Sequence, residues 1–165
     1  MELMIKILAD GLMLPIAAIA AYALIFKVKN KQRYDIYTHI AMAGLTSYLL
    51  AKLVGAIWQP SERRPFEELG IEAGASYLNN PGFPSDHALF AGFLAFAVWY
   101  ATKNKWLGLV MIVLALLTGV GRIMAHVHSP LDVVGGLMFA AIGAAWYGVY
   151  GKKQFHTIMA KFAKK

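Results

Sequence analysis

Apolar residues run along this chain in long blocks separated by short polar breaks, with no sustained alternation of the kind a half-buried strand needs. Five blocks stand out: Ile7 to Phe26, Ile36 to Trp58, Ser85 to Ala101, Trp106 to Met124 and Pro130 to Tyr150. A helix needs about 20 apolar residues to cross the hydrocarbon core of a bilayer, and only helices or closed barrels satisfy their backbone groups there. The pattern predicts an all-α fold, a polytopic membrane helix bundle of about five transmembrane helices, with residues 1–165 forming a single domain. Composition agrees: 59% of the chain is hydrophobic and only 15% charged, with a positive mean hydropathy, against roughly 45–50% and about 25% in soluble domains. With no cysteine in the sequence, disulfides and thiolate metal sites are excluded.

The breaks orient the bundle. "KVKNKQRYD", "TKNK" and the tail "GKKQFHTIMAKFAKK" fall on one side, because consecutive connections alternate. They hold Lys27, Lys29, Lys31, Arg33, Lys103, Lys105, Lys152, Lys153, Lys161, Lys164 and Lys165, eleven of the sixteen basic residues. The excess of Lys and Arg makes that side cytoplasmic, so the net charge of +7 reflects topology and implies no nucleic acid partner. The chain is expected to be integral to the cytoplasmic membrane with its C-terminus inside. The N-terminus, the long loop from Gln59 to Pro84 and the break from Ala125 to Ser129 then lie outside. In the tail, Phe155, Ile158, Met159 and Phe162 follow helical spacing, which suits either an interfacial helix on the anionic inner leaflet or a basic tail. The first block has an alternative reading as a signal peptide, with "AYA" at Ala21–Ala23 as the cleavage site. Its opening residues carry no net positive charge and the apolar run continues past that site, which favours a retained span.

Ionisable residues at membrane depth are costly and mark function by default. Here they are Asp10, His39, Lys52, Asp86, His87, Arg122, His126, His128 and Asp132. In "GRIMAHVHSPLDVVGG", Ser129 is placed to cap a helix and Pro130 to occupy its first position. Asp132 follows His128 by four residues, so a helix start can set carboxylate beside imidazole and leave the other ring nitrogen free to attack. The plainer alternative is that Asp132 only caps the helix. In "NNPGFPSDHALF", Ser85 is a second cap and His87 lies in the first turn. Both helices start on the outer side, and two helix N-termini with arginines and histidines nearby suit a phosphate group. Glu62, Glu67, Glu68 and Glu72 would repel such a group and are expected to face solvent. His126 is expected to be a bystander.

"PSDH" at 84–87 and "GRIMAHVHSPLD" at 121–132 resemble the second and third motifs of the type 2 phosphatidic acid phosphatase superfamily, Pro-Ser-Gly-His and Ser-Arg, five residues, His, three residues, Asp. Asp86 stands in place of the usual glycine and Gly121 in place of the usual serine. The form "FPSDH" is similar to the branch that dephosphorylates undecaprenyl diphosphate. The first motif, Lys, six residues, Arg-Pro, is split: Lys52 reaches Gln59-Pro60, while an Arg-Pro occurs at Arg64-Pro65. Lys52 with Arg64, rather than Arg63, is the expected pairing; alternatively Lys52 only snorkels toward headgroups. The motif core spans residues 52–136.

The resemblance implies a metal-independent lipid phosphatase without cofactor, acting on a lipid phosphate or diphosphate held at the outer membrane boundary. His128 would be the nucleophile that forms a phosphohistidine, with Asp132 orienting it. His87 would protonate the leaving oxygen and then activate water. Lys52, Arg64, Arg122, Ser85 and Asp86 would surround the phosphate. Alternative substrates within the family are phosphatidylglycerol phosphate and phosphatidate. Two other classes fit paired histidines: a haem-bearing helix bundle, marked by an absorbance band, and a lipid-binding protein without turnover, marked by a missing catalytic group.

Overall fold

In the computed structural model, residues 2–148 are described; the amphipathic segment expected at 151–165 lies outside the described residues. The chain is helical wherever it is apolar. Helix α1 spans Glu2–Lys27 and α2 spans Arg33–Ile57. A one-turn helix α3, Pro65–Leu69, interrupts the outer loop, and α4, Asp86–Thr102, α5, Lys105–Met124, and α6, Pro130–Gly143, complete the bundle. A 3₁₀ turn, Ala144–Gly148, prolongs α6.

Helices α1, α2, α5 and α6 with its extension are each long and apolar enough to cross a membrane. They turn Leu45, Leu49, Leu53, Leu109, Val113, Leu116 and Val120 outward, an arrangement stable against lipid and not against water. Helix α4 differs. Its 17 residues rise about 26 Å, short of the roughly 30 Å hydrocarbon core. It is enclosed by the others, packing on α5, α6, α1 and α2. Its buried residues are mostly small, including Ala88, Ala91, Gly92, Ala95 and Ala97, which lets neighbouring backbones approach closely. Ala91, Leu94, Ala95 and Val98 meet Ile16 and Ala20 of α1 and Met111 and Ala115 of α5 in the main apolar cluster.

The helix starts follow the sequence signals. Ser85 accepts from the Ala88 N–H at the start of α4. Asn104 accepts from Trp106 and Leu107 at the start of α5. Ser129 and Asp132 cap each other's backbone at the start of α6, with Pro130 in the first turn. At the far end of the bundle Arg33 donates to the carbonyls of Ile25 and Val28, and Tyr37 to that of Leu24, closing the C-terminus of α1 with a cation and a hydroxyl. The ends of α2 and α5 and the starts of α4 and α6 thus converge at one end, with Lys27, Lys29, Lys31, Arg33, Lys103 and Lys105 at the other.

Candidate active site

Where those four helix ends meet, a cavity of about 610 Å³ opens. Lys52 of α2, Arg64 of the outer loop, Asp86 and His87 of α4, Arg122 of α5 and His128 of the α5–α6 break all line it. Residues separated by up to 76 positions therefore share one chamber. Asp132 stands behind His128, its Oδ2 3.5 Å from the ring Nδ1, the outer limit of a hydrogen bond. The same oxygen accepts from the Ser129 N–H at 2.8 Å. Asp132 thus does both things the spacing allowed, capping α6 and flanking the imidazole. Burial is the main influence on His128 and lowers its pKa below the ordinary histidine value, while Asp132 opposes this. Burial thus favours the neutral ring.

Ser85 lies outside the cavity wall. Its N–H donates to the Asp132 carbonyl at 2.9 Å and its hydroxyl caps α4, so it ties the two helix starts together. Asp86 does line the cavity, and both its oxygens accept from Lys52 Nζ, at 2.7 and 2.9 Å. The acid that replaces the usual glycine therefore carries the counter-charge of the first-motif lysine.

Arg64 is buried, and its guanidinium is largely committed. It donates to the carbonyls of Val127 at 2.6 Å, Leu78 at 3.2 Å and Asn80 at 3.3 Å, and to Asn80 Oδ1 at 2.9 Å. It also lies over the Tyr77 ring. Gln59, in the register where the motif has arginine, donates to the carbonyls of Phe83 and Gly55 and accepts from the Phe83 N–H. Both halves of the split motif reach the cavity and both clamp the loop around it. Arg63, His126 and the four glutamates of the loop are exposed.

Arg122 is buried to 1% exposure. Its Nη1 donates to Asp10 Oδ1 at 2.6 Å, while Nε, itself buried, has no protein partner among the described residues. Asp10 is one of the ionisable residues the hydropathy pattern singles out, but no motif connects it to the site. Only the packing of α1 does so. Among the described residues no group of three or more His, Asp or Glu is disposed to hold a metal ion.

A helix bundle whose converging helix ends and outer loop set two histidines and three cationic side chains around one chamber has the form of a membrane phosphate-handling protein. The PAP2 superfamily matches residues 34–155, and the chain belongs to that superfamily. It is 30% identical over 129 residues to undecaprenyl-diphosphatase BcrC of Bacillus subtilis, covering 76% of this chain and 65% of that protein. It is 35% identical over 106 residues to putative undecaprenyl-diphosphatase YbjG of Escherichia coli, covering 63% and 51%. It is 36% identical over 121 residues to human sphingosine-1-phosphate phosphatase 2, covering 66% and 29%. The chain spans about two thirds or less of the length of these relatives. No solved structure matches it.

Proposed function

We propose that this chain is a membrane lipid phosphatase that converts undecaprenyl diphosphate to undecaprenyl phosphate. The observation that carries the reading is the meeting of His128, backed by Asp132, with His87, Arg122 and Lys52 around one cavity. His128 attacks phosphorus through the ring nitrogen that Asp132 does not face, forming a phosphohistidine as the bond to the leaving oxygen breaks. His87 gives that oxygen a proton and then takes one from the water that resolves the intermediate. Arg122, Lys52 and the one N–H of Arg64 not committed to the loop neutralise the equatorial oxygens, the main need of phosphoryl transfer. These fixed cations supply what a metal would otherwise supply. The reading places the cavity at the outer boundary of the cytoplasmic membrane, because the cluster of basic residues lies at the opposite end of the bundle.

The test is phosphate release in detergent with a chelator present, comparing undecaprenyl diphosphate, phosphatidylglycerol phosphate and phosphatidate beside His128→Ala. Chelator-insensitive release that is fastest from undecaprenyl diphosphate and absent in the variant supports the reading. A different ranking reassigns the substrate, and no release above the variant from any of the three refutes the enzyme.

A further inference from the structure

Helix α1 lies outside the region that matches the superfamily, yet it sets a carboxylate against two residues of the cavity wall, Arg122 and His87. Asp10 sits in a π-helical turn, Ile7–Gly11, a local widening frequent at functional sites. Its Oδ1 accepts from Arg122 Nη1 at 2.6 Å and lies 3.7 Å from His87 Nε2. Its Oδ2 accepts from the Ser76 N–H at 2.9 Å. Three segments therefore hold one acid in place. An acid beside a phosphate site works against anion binding, so so firmly held a carboxylate calls for a role that offsets this cost.

The approach that brings it there depends on Gly121. A Cβ on that residue would stand 2.5 Å from the Ala9 nitrogen and 2.6 Å from the Leu8 carbonyl carbon, and backbone cannot yield at such distances. This is the position where the third motif ordinarily has serine. Its loss and the presence of Asp10 belong together: a serine there would push α1 away from Arg122.

We propose that Asp10 is the positioning residue of the leaving-group acid, holding the protonated His87 ring by charge and Arg122 by hydrogen bond, with Gly121 as the residue that admits it. The inference rests on the phosphatase reading above. As the phosphorus–oxygen bond breaks, its electron pair goes to the leaving oxygen, which takes the His87 proton, while His128 forms the new bond to phosphorus. The groups facing His87 are Asp10 from α1, Arg122 from α5, His128 from the α5–α6 break and Asp86 from its own helix. Burial disfavours the imidazolium most, and Arg122 and His128 add to it. Each acid is paired with a cation, Asp86 with Lys52 and Asp10 with Arg122, but Asp10 Oδ1 also stands 3.7 Å from His87 Nε2, which makes it the acid placed to sustain the proton.

The experiment compares kcat/KM of the full chain on phosphatidate, whose alkoxide must be protonated as it leaves, and on p-nitrophenyl phosphate, whose phenolate leaves unaided. Asp10→Asn should lose on the order of 10- to 100-fold on phosphatidate, a part of what general acid catalysis contributes, and less than about threefold on p-nitrophenyl phosphate. The basic limb of its pH profile should move to lower pH, because the imidazolium loses its counter-charge. Asp10→Glu should recover most of the loss. Gly121→Ser should reproduce it, and the double variant should fall no further than either single one, as two steps in one linkage require. Equal loss on both substrates would overturn the proposal in favour of a scaffolding role. A lower KM and unchanged kcat in Asp10→Asn would also overturn it, showing an acid that only competes with phosphate. A wild-type chain that hydrolyses neither of these nor undecaprenyl diphosphate refutes the phosphatase reading itself, before any variant is compared.

Discussion

Each of the two histidines in the cavity wall faces a carboxylate, at nearly equal spacing and in unequal surroundings. His128 and Asp132 stand 3.5 Å apart with side chains 5% and 7% exposed; His87 and Asp10 stand 3.7 Å apart with side chains 29% and 32% exposed. The first pair is nearly dry and held by a single helix start. The second is open to water and assembled from two helices distant in sequence. The contrast fits the division of labour proposed for them. A nucleophile must stay neutral and immobile, and burial secures both. A group that gives up a proton and then takes one from water must be reachable by water.

The contrast can be broken most severely at His128. His128→Ala should abolish turnover, a loss of about 10⁴-fold or more. With p-nitrophenyl phosphate it should show no burst of p-nitrophenol, whereas His87→Ala should give a burst and then stall, because its phosphohistidine waits for water. Stopped-flow absorbance separates the two, and a burst in His128→Ala would exchange their roles. Next is Asp132→Asn, which keeps the shape and removes the charge. It should cost on the order of 10²–10⁴-fold in kcat, by analogy with other carboxylate-backed histidines, with little change in KM. A milder effect follows from Arg64→Ala, which strips the carbonyls of Leu78, Asn80 and Val127 of their donor. Of these only the Val127 bond is buried, and leaving that carbonyl unpaired costs about 1–3 kcal/mol, so the thermal midpoint in detergent should fall by about 2–10 °C.

The smallest effect is on acidity. The lowered His128 pKa means the unfolded chain binds a proton at this residue before the native state does, from about pH 6.5 downward. The stability it confers is present above that pH and is lost on acidification. Thermal midpoints measured between about pH 7 and pH 5 should therefore fall less steeply in His128→Gln than in the wild type. An unchanged slope would mean that the dry pair is not dry.

What could be read along the chain and what could not divide the same way. Arg122, His128 and Asp132 are spaced so that one helix end, a short break and the next helix start must bring them near each other. Ser85, Ser129 and Pro130 announce their helices because capping is a local property. The five apolar blocks likewise predict the bundle, in which α4 is the helix the others enclose. Asp10 was visible as a costly acid in an apolar run, but its partners lie 66 to 112 positions away, and no periodicity encodes them. Its π-helical turn also leaves no sequence signature. Arg64 was expected around the phosphate as the arginine of an Arg-Pro pair. Its turn toward three loop carbonyls is decided by the tertiary packing of residues 59–84, as is the stapling of Phe83 by Gln59.

That turn has a consequence for how the outer end opens. The Phe66 and Gly74 amides donate to the His126 and Ala125 carbonyls, and Arg64 fastens the neighbouring Val127 to Leu78 and Asn80. Two stretches more than forty residues apart are thereby laced into one cooperative unit, for which opening is all-or-none. In amide exchange, residues 66 and 74 should gain deuterium together with the stretch around residue 127, at a common rate below that of a free loop. Arg64 is then less a ligand in waiting than the rivet of a lid frame, and the geometry around His128 is as constant as that frame stays shut.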